Sequence, residues 1–252
     1  MLSMRGTVAK IPEEKGFSLI ELVVVIVILG ILSLVAIRNI STTTENAKFQ
    51  ATIQEMAQIE NAMVGNESLI ANGVRVDLGY VGDMGAFPAA LTDLVQNMGG
   101  NWKGPYITIN FQQDPNDYLN DAWGTLYQWT AATLTLLSPG NGNPITKVIG
   151  GTGAAQTDFL NNAVGGTISN RSSFTPTDAE LANMTITLTL QSTGTRTATK
   201  QSGGSYSITN VPIGNHLITA FYSTTSLTVK RSVCVVPKSN NLVDIVFSSN
   251  VF

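Results

Sequence analysis

Between Lys15 and Arg38 lie 22 residues, of which only Ser18, Glu21 and Ser33 are polar and only Glu21 is charged. No other stretch limits the fold so tightly. At about 1.5 Å of rise per residue, a helix over 17–37 runs roughly 30 Å, enough to cross the hydrocarbon core of a bilayer. In lipid the backbone must satisfy its own hydrogen bonds, so helix is expected there despite Gly30 and the β-branched run 23–27. An acid in such a run is expensive, which makes Glu21 a functional candidate in need of a partner. Arg5, Lys10 and Lys15 precede the run. Cations beside a membrane segment stay cytoplasmic, so the N-terminus is expected inside and the bulk outside. A cleaved secretory signal is the ordinary alternative. The length of the run, Glu21 within it and the large Leu34 in Leu34-Val35-Ala36, a poor small-x-small cleavage site, count against it.

Beyond Arg38 the chain turns polar but keeps apolar residues at near-helical spacing: Ile40, Ala47, Ala51, Ile53, Met56, Ala57, Ile59 and Met63. No proline interrupts 17–64, and Gly65-Asn66 offers a stop. The simplest reading is one helix over 17–64, about 48 residues and roughly 70 Å long. Its first part, 17–37, would sit in lipid. Its second would lay an apolar stripe on a globular head.

The chain of 252 residues leaves room for one or two domains after the apolar run. Only 12% of it is charged, and the region after the helix is rich in Thr, Ser, Asn and Gly. The first 16 residues hold three cations and two acids, net +1, so the rest carries −4 of the total −3. Without a basic patch, nucleic acid is not an expected partner. Cys234 is the only cysteine, which excludes an intrachain disulfide and a cysteine-based zinc site. In Ser232-Val233-Cys234-Val235-Val236 it reads as an inert core thiol on a buried strand.

Lys15-Gly16, then Phe17, then Glu21 and a Val/Ile/Leu-rich run resemble the class III leader of type IV pilins and of the pseudopilins of type II secretion systems. The resemblance implies that a prepilin peptidase cuts between Gly16 and Phe17 and methylates the new amino terminus of Phe17. It also implies a salt link between Glu21 of one subunit and the Phe17 amine of the next, which would couple cleavage to assembly and fix the axial register. Many relatives carry a proline close to where Arg38 stands; this chain does not, so no proline-induced bend is expected. Trp102-Lys103-Gly104-Pro105-Tyr106 and Asp121-Ala122-Trp123-Gly124-Thr125-Leu126-Tyr127 resemble two elements of the major-pseudopilin head, with Ala122 in place of the usual proline.

In the head, 79–85 reads as a turn-rich loop and 88–95 as a helix with Pro88 near its first turn. Tyr127-Gln128-Trp129 and 133–137 read as antiparallel strands, with Lys147-Val148-Ile149 a further one. Gly150-Gly151-Thr152-Gly153 lacks the Gly-Lys-Ser/Thr of a phosphate loop. The similar loop of pseudopilin heads binds calcium through several acids. Here Asp158 is the only acid in 150–162, so Asp158 is a weak metal candidate and the loop reads as a turn. Asp114, Asp117 and Asp121 share one loop, read as a solvated loop over a weak cation site.

From Val164 onward the texture changes. Met184, Ile186, Leu188 and Leu190 alternate with threonines, the period-two pattern of a half-buried strand. The stretch 203–218 resembles the Gly-x-Tyr…Val-Pro-x-Gly-x-Tyr signature of carboxypeptidase-regulatory-like, or transthyretin-like, β-sandwich modules, with His216 at the second aromatic position. His216, the only histidine, reads as a strand-edge residue. Strands are expected over 227–230, 233–236 and 242–247. Asn-x-Ser/Thr matches such as those at Asn66, Asn170 and Asn183 are common by chance. There is no Gly-x-Ser-x-Gly elbow and no second histidine, so no catalytic residues and no cofactor are expected.

The expected fold is α+β: a long N-terminal transmembrane and amphipathic helix on a small antiparallel-sheet head, then an all-β sandwich. The expected organisation is a leader over 1–16, a pilin-like domain over 17–162 with its head at 65–162, and a sandwich module over 163–252. The expected function is a pseudopilin subunit of type II secretion that polymerises with copies of itself. Its further partners would be the prepilin peptidase, the membrane, and an inner-membrane assembly platform with its assembly ATPase. Such a subunit starts as a single-pass inner-membrane protein with its C-terminal domains periplasmic. The alternatives are a surface type IV pilin or minor pilin with an adhesive C-terminal module, and an uncleaved membrane-anchored binding protein.

Overall fold

The computed structural model describes residues 16, 18–108, 114, 116–248 and 251–252, and of 34–39 the backbone only. The leader before Gly16, and Phe17, lie outside the described residues. Two compact units divide between Lys48 and Phe49.

One helix, α1 (Leu19–Val64), runs through that division. In the first unit every described residue from Ser18 to Ser33 is exposed, including Leu19, Ile20 and Leu32. The apolar surface encircles the helix, unlike the single stripe of a helix that packs on a water-facing core. Ser33 turns its hydroxyl back to Leu29 O at 2.7 Å, and Thr44 does the same to Ile40 O at 2.9 Å, so neither hydroxyl needs water. The described apolar part, 19–33, spans about 22 Å. Among the described residues no helix is long and apolar enough to cross a membrane.

In the second unit α1 buries Thr52, Met56, Ile59 and Met63, at i, i+4, i+7 and i+11, with Ala62 and Val64 beside them. The expected stripe shares Met56, Ile59 and Met63 with this one and departs from it elsewhere. Ile40 and Ile53 are exposed, while Thr52 is buried because its Oγ1 accepts the Ala122 N–H at 3.2 Å. The helix ends at Gly65, whose φ of +80° and whose approach to Asp77 leave no room for a side chain: a Cβ there would lie 2.3 Å from Asp77 O. Arg75 Nη2 donates to Val64 O and Gly65 O at 2.6 and 2.8 Å, satisfying carbonyls that a helix end leaves open.

A two-stranded hairpin, β1 (Ile70–Ala71) and β2 (Val74–Arg75), follows, then α2 (Gly79–Met84). The sequence suggests a loop at α2, yet five of its six residues are buried, and Gly79 brings it against the end of α1, where a Cβ would lie 2.5 Å from Gly65 N. The helix expected over 88–95 is instead one short 3-10 turn, Leu91–Leu94, because Asp93 folds back to accept the N–H groups of Ala89 and Ala90. Strands β3 (Gln128–Thr130), β4 (Thr135–Ser138) and β5 (Ile145–Val148) form a three-stranded antiparallel sheet in sequence order. The head's core gathers Met56, Ile59 and Met63 of α1 with Val81, Leu94, Leu134, Leu136, Ile149 and Phe159, the last from α3 (Gln156–Leu160).

The rest is a β-sandwich. One sheet holds β6 (Asn162–Ser169), β9 (Thr199–Lys200), β10 (Ser205–Val211), β13 (Asn240–Leu242) and β14 (Ile245–Val246) in the order β13-β6-β10-β9, with β14 also on β6. The other runs β12 (Leu227–Val235), β11 (Gly214–Tyr222), β7 (Met184–Thr189), β8 (Thr195–Thr197). Helix α4 (Asp178–Ala182) precedes β7, capped by Thr177 and Glu180 in a reciprocal box. The alternation holds: Met184, Ile186 and Leu188 of β7 and Ile218, Ala220 and Tyr222 of β11 face Val164, Ile168, Tyr206 and Ile208 across one core. The two strands expected over 227–236 are one nine-residue strand, paired along its length with β11. The two short strands after it run parallel to β6.

Candidate functional site

Gly16 is exposed, and a Cβ built on it would meet no atom within 4 Å. Ser18 precedes the first helical residue, and its Oγ accepts the Glu21 N–H at 3.3 Å while its carbonyl accepts the Leu22 N–H at 3.2 Å. Ser18 is therefore the N-cap of α1. Ser18-x-x-Glu21 has capping-box spacing, the sequence signal that marks this N-cap. Glu21 stands in the first turn, where the positive end of the helix dipole favours an acid. Among the described residues no ion pair engages Glu21 within its own chain, and its expected partner, Phe17, lies outside them. The other site candidates read from the sequence fall elsewhere.

Asp158 caps α3. Its Oδ2 accepts the Ala155 N–H at 2.9 Å and pairs with Lys238 Nζ at 3.3 Å. The Ala155 N–H, helped by Lys238, holds this carboxyl below its ordinary range. Asp121 is buried and saturated. Its Oδ1 accepts the N–H groups of Trp123 and Thr125 at 3.0 and 2.9 Å, and its Oδ2 accepts Ser138 Oγ–H at 2.5 Å and Gly140 N–H at 3.2 Å. Asp114 accepts Asn116 N–H at 2.8 Å. The three acids of that loop, expected to be solvated together, thus differ: Asp121 is an internal clamp between a turn and β4. Among the described residues no three His, Cys, Asp or Glu side chains are grouped to hold a metal ion.

His216 is no edge residue. It is buried on β11, between β12 and β7. Its Nδ1 accepts the Gln191 N–H at 2.9 Å and its Nε2 lies 2.8 Å from Pro212 O, which together specify the neutral Nε2–H tautomer. Burial pushes its pKa down. Cys234 is half-buried, 3.5 Å from Arg75 O and packed against the head's core. Burial pushes its thiol pKa up, so it is a poor nucleophile. Asn170 is buried with its amide on Phe252 O, which removes one of the glycosylation matches.

The aromatics of the two head elements are structural. Trp102 and Tyr106 meet edge to face at 5.7 Å, and Tyr106 meets Tyr80 at 5.6 Å. Tyr127 donates to Glu55 Oε2 at 2.8 Å, and burial raises the Glu55 pKa against that bond. A cleft of about 600 Å³ lies beside the end of α1 and includes Glu60, Glu67, Arg75, Asp158 and Lys238. Its charges are already paired: Glu60 with Lys147 at 2.7 Å, Glu67 with Arg75 at 3.7 Å, Asp158 with Lys238. The feature without a satisfied environment is the exposed apolar surface of 19–32 behind Ser18 and Glu21.

Comparison with known proteins places a family match on that feature. The model of the prokaryotic N-terminal methylation motif matches residues 12–37. No curated protein matches the chain. Among solved structures, the dioxygenase domain of a dioxygenase–carbohydrate-binding protein fusion from Streptomyces sp. SirexAA-E is similar over 38% of this chain and 84% of its own length. At 10% identity and a TM-score of 0.28, that likeness carries no argument. The N-terminal motif supports a type IV pilin-like, envelope-associated protein processed by prepilin peptidase.

Proposed function

We propose that this chain is a filament subunit, and more narrowly a pseudopilin of a type II secretion system. The carrying observation is the methylation motif lying on a helix whose described surface from Leu19 to Leu32 is apolar and exposed on every side. Such a surface must be covered, first by lipid and then by like helices. In the stored state 17–37 spans the inner membrane, with the head outside. Hydrolysis of the Gly16–Phe17 bond leaves a carboxylate on Gly16 and an amine on Phe17, which is then methylated. That amine offers a cation to Glu21 of a neighbouring copy. Among packed helices a lone Glu21 costs several kcal/mol, so pairing with Phe17 of the next subunit sets the axial step. The subunit's role is structural, not catalytic. Its partners are copies of itself, the peptidase, and an assembly platform with its ATPase.

The secretion reading rests on the aromatic and glycine elements around Trp102 and Trp123. A surface pilin with a displayed module is the second reading, favoured by the sandwich beyond the head. Disruption of the chromosomal copy separates them: loss of protein secretion with surface filaments intact supports the first, and the converse supports the second. Retention of residues before Phe17 in assembled material refutes both.

A further inference from the structure

The turn between β10 and β11 carries Ile213, which is fully buried, yet not in the sandwich core. It packs in the head's core, and its N–H donates to Phe159 O of α3 at 2.8 Å. Two other sandwich segments reach the same body. Gln191, after β7, donates from Nε2 to Asp83 Oδ1 of α2 at 2.6 Å, and its carbonyl accepts Asn101 Nδ2–H at 3.1 Å. The same residue is fixed from the sandwich side: Oε1 accepts Asn215 N–H at 2.6 Å, and its N–H donates to His216. After β12, Lys238 pairs with Asp158, and Ser239 N–H reaches the buried Asn162, whose amide also holds Phe159 O.

We propose that the sandwich is an obligate part of the head, docked through Ile213 and locked by Gln191, and not a module on a free tether. Undocking would expose Ile213 and open the head's core. It would also strip from the nearly buried Asp83 one of three donors, the others being Lys103 Nζ at 2.7 Å and Tyr106 Oη at 2.9 Å. A buried carboxylate that loses a donor is costly, so the lock and the core insertion reinforce each other. Whatever the sandwich touches is then held in a fixed pose on the head. This holds whether the filament is secretory or on the surface.

Hydrogen exchange on the full chain in detergent tests it. The head is read at the amides of Tyr106 and Ile149, which donate to Leu94 O and Leu134 O, and the sandwich at those of Ile168 and Ala198. Ile213→Asp should remove protection in the head, although the substituted residue belongs to a sandwich turn. Complete unfolding of that variant supports the proposal too, since the sandwich's own core is untouched. Gln191→Ala, which leaves both cores intact, should speed exchange on both sides of the seam by roughly tenfold, as for a lost charge-assisted hydrogen bond. Leu242→Asp, at an 82% exposed position, is the control and should change neither. Wild-type protection in the head of Ile213→Asp, or a Gln191→Ala effect confined to the sandwich, overturns the proposal.

Discussion

Asp121→Asn separates an internal clamp from a cation site. Each carboxylate oxygen faces two donors: Trp123 and Thr125 N–H on Oδ1, Ser138 Oγ–H and Gly140 N–H on Oδ2. An amide must turn its NH₂ toward one pair. Toward Trp123 and Thr125 it meets two backbone donors that cannot reverse. Toward Ser138 and Gly140 it meets a hydroxyl, which can rotate to accept, and one N–H, which cannot. The second orientation is therefore adopted, and the half-buried Gly140 N–H loses one of its two acceptors, keeping Ser138 Oγ at 3.2 Å, at a cost of about 0.5–1.5 kcal/mol. Asp121→Ala takes the carboxylate from Trp123, Thr125 and Ser138 as well and should cost more. For a unit of this size 1 kcal/mol shifts the midpoint by about 2–4 °C, so the Asn variant should melt roughly 1–6 °C lower. Thermal denaturation of the mature protein in detergent, with calcium and with chelator, is the assay. An unchanged midpoint in Asp121→Asn, or a wild-type midpoint that drops on chelation, refutes the clamp.

Three further outcomes follow. His216 has a folded-state pKa below its unfolded value, so its neutral form contributes stability fully above the unfolded pKa of about 6.5, and that contribution is lost as pH falls below it. Denaturation midpoints measured from pH 7.5 to 5 should fall less steeply for His216→Asn than for wild type, the single proton accounting for at most about 1.4 kcal/mol per pH unit. Gly65→Ala places a Cβ against Asp77 O in a left-handed conformation and should destabilise the head by about 1–3 kcal/mol or more, read by urea denaturation. Glu21→Ala should leave membrane insertion and head stability unchanged while abolishing incorporation into filaments, measured by cross-linking of neighbouring subunits in envelope fractions. Normal incorporation sinks the register model.

The sequence showed the long helix almost to its ends, because an unbroken apolar run, absence of proline and Gly65 all point one way. It showed β7 through strict alternation. It misled where one residue's environment is set by distant chain. Thr52 is buried only because Ala122 comes to cap it, which no helical period announces. The segment at Gly79 reads as a loop because its glycines look like turn residues; they serve contact with the end of α1. His216 looks like an edge residue until β12 and β7 flank it and Gln191 and Pro212 claim its ring. Asp158 and Asp121, candidates for metal by type and spacing, spend their oxygens on caps and turns. Ser18 is legible as a helix cap through its spacing to Glu21.

In the proposed function the chain becomes a filament subunit by losing everything before Phe17. Mass spectrometry of the assembled protein's N-terminal peptide tests it most directly. The expected result is a peptide that begins at Phe17 with one added methyl on its amine. A peptide from assembled material that retains Gly16, or an unmodified Phe17 amine throughout, contradicts it.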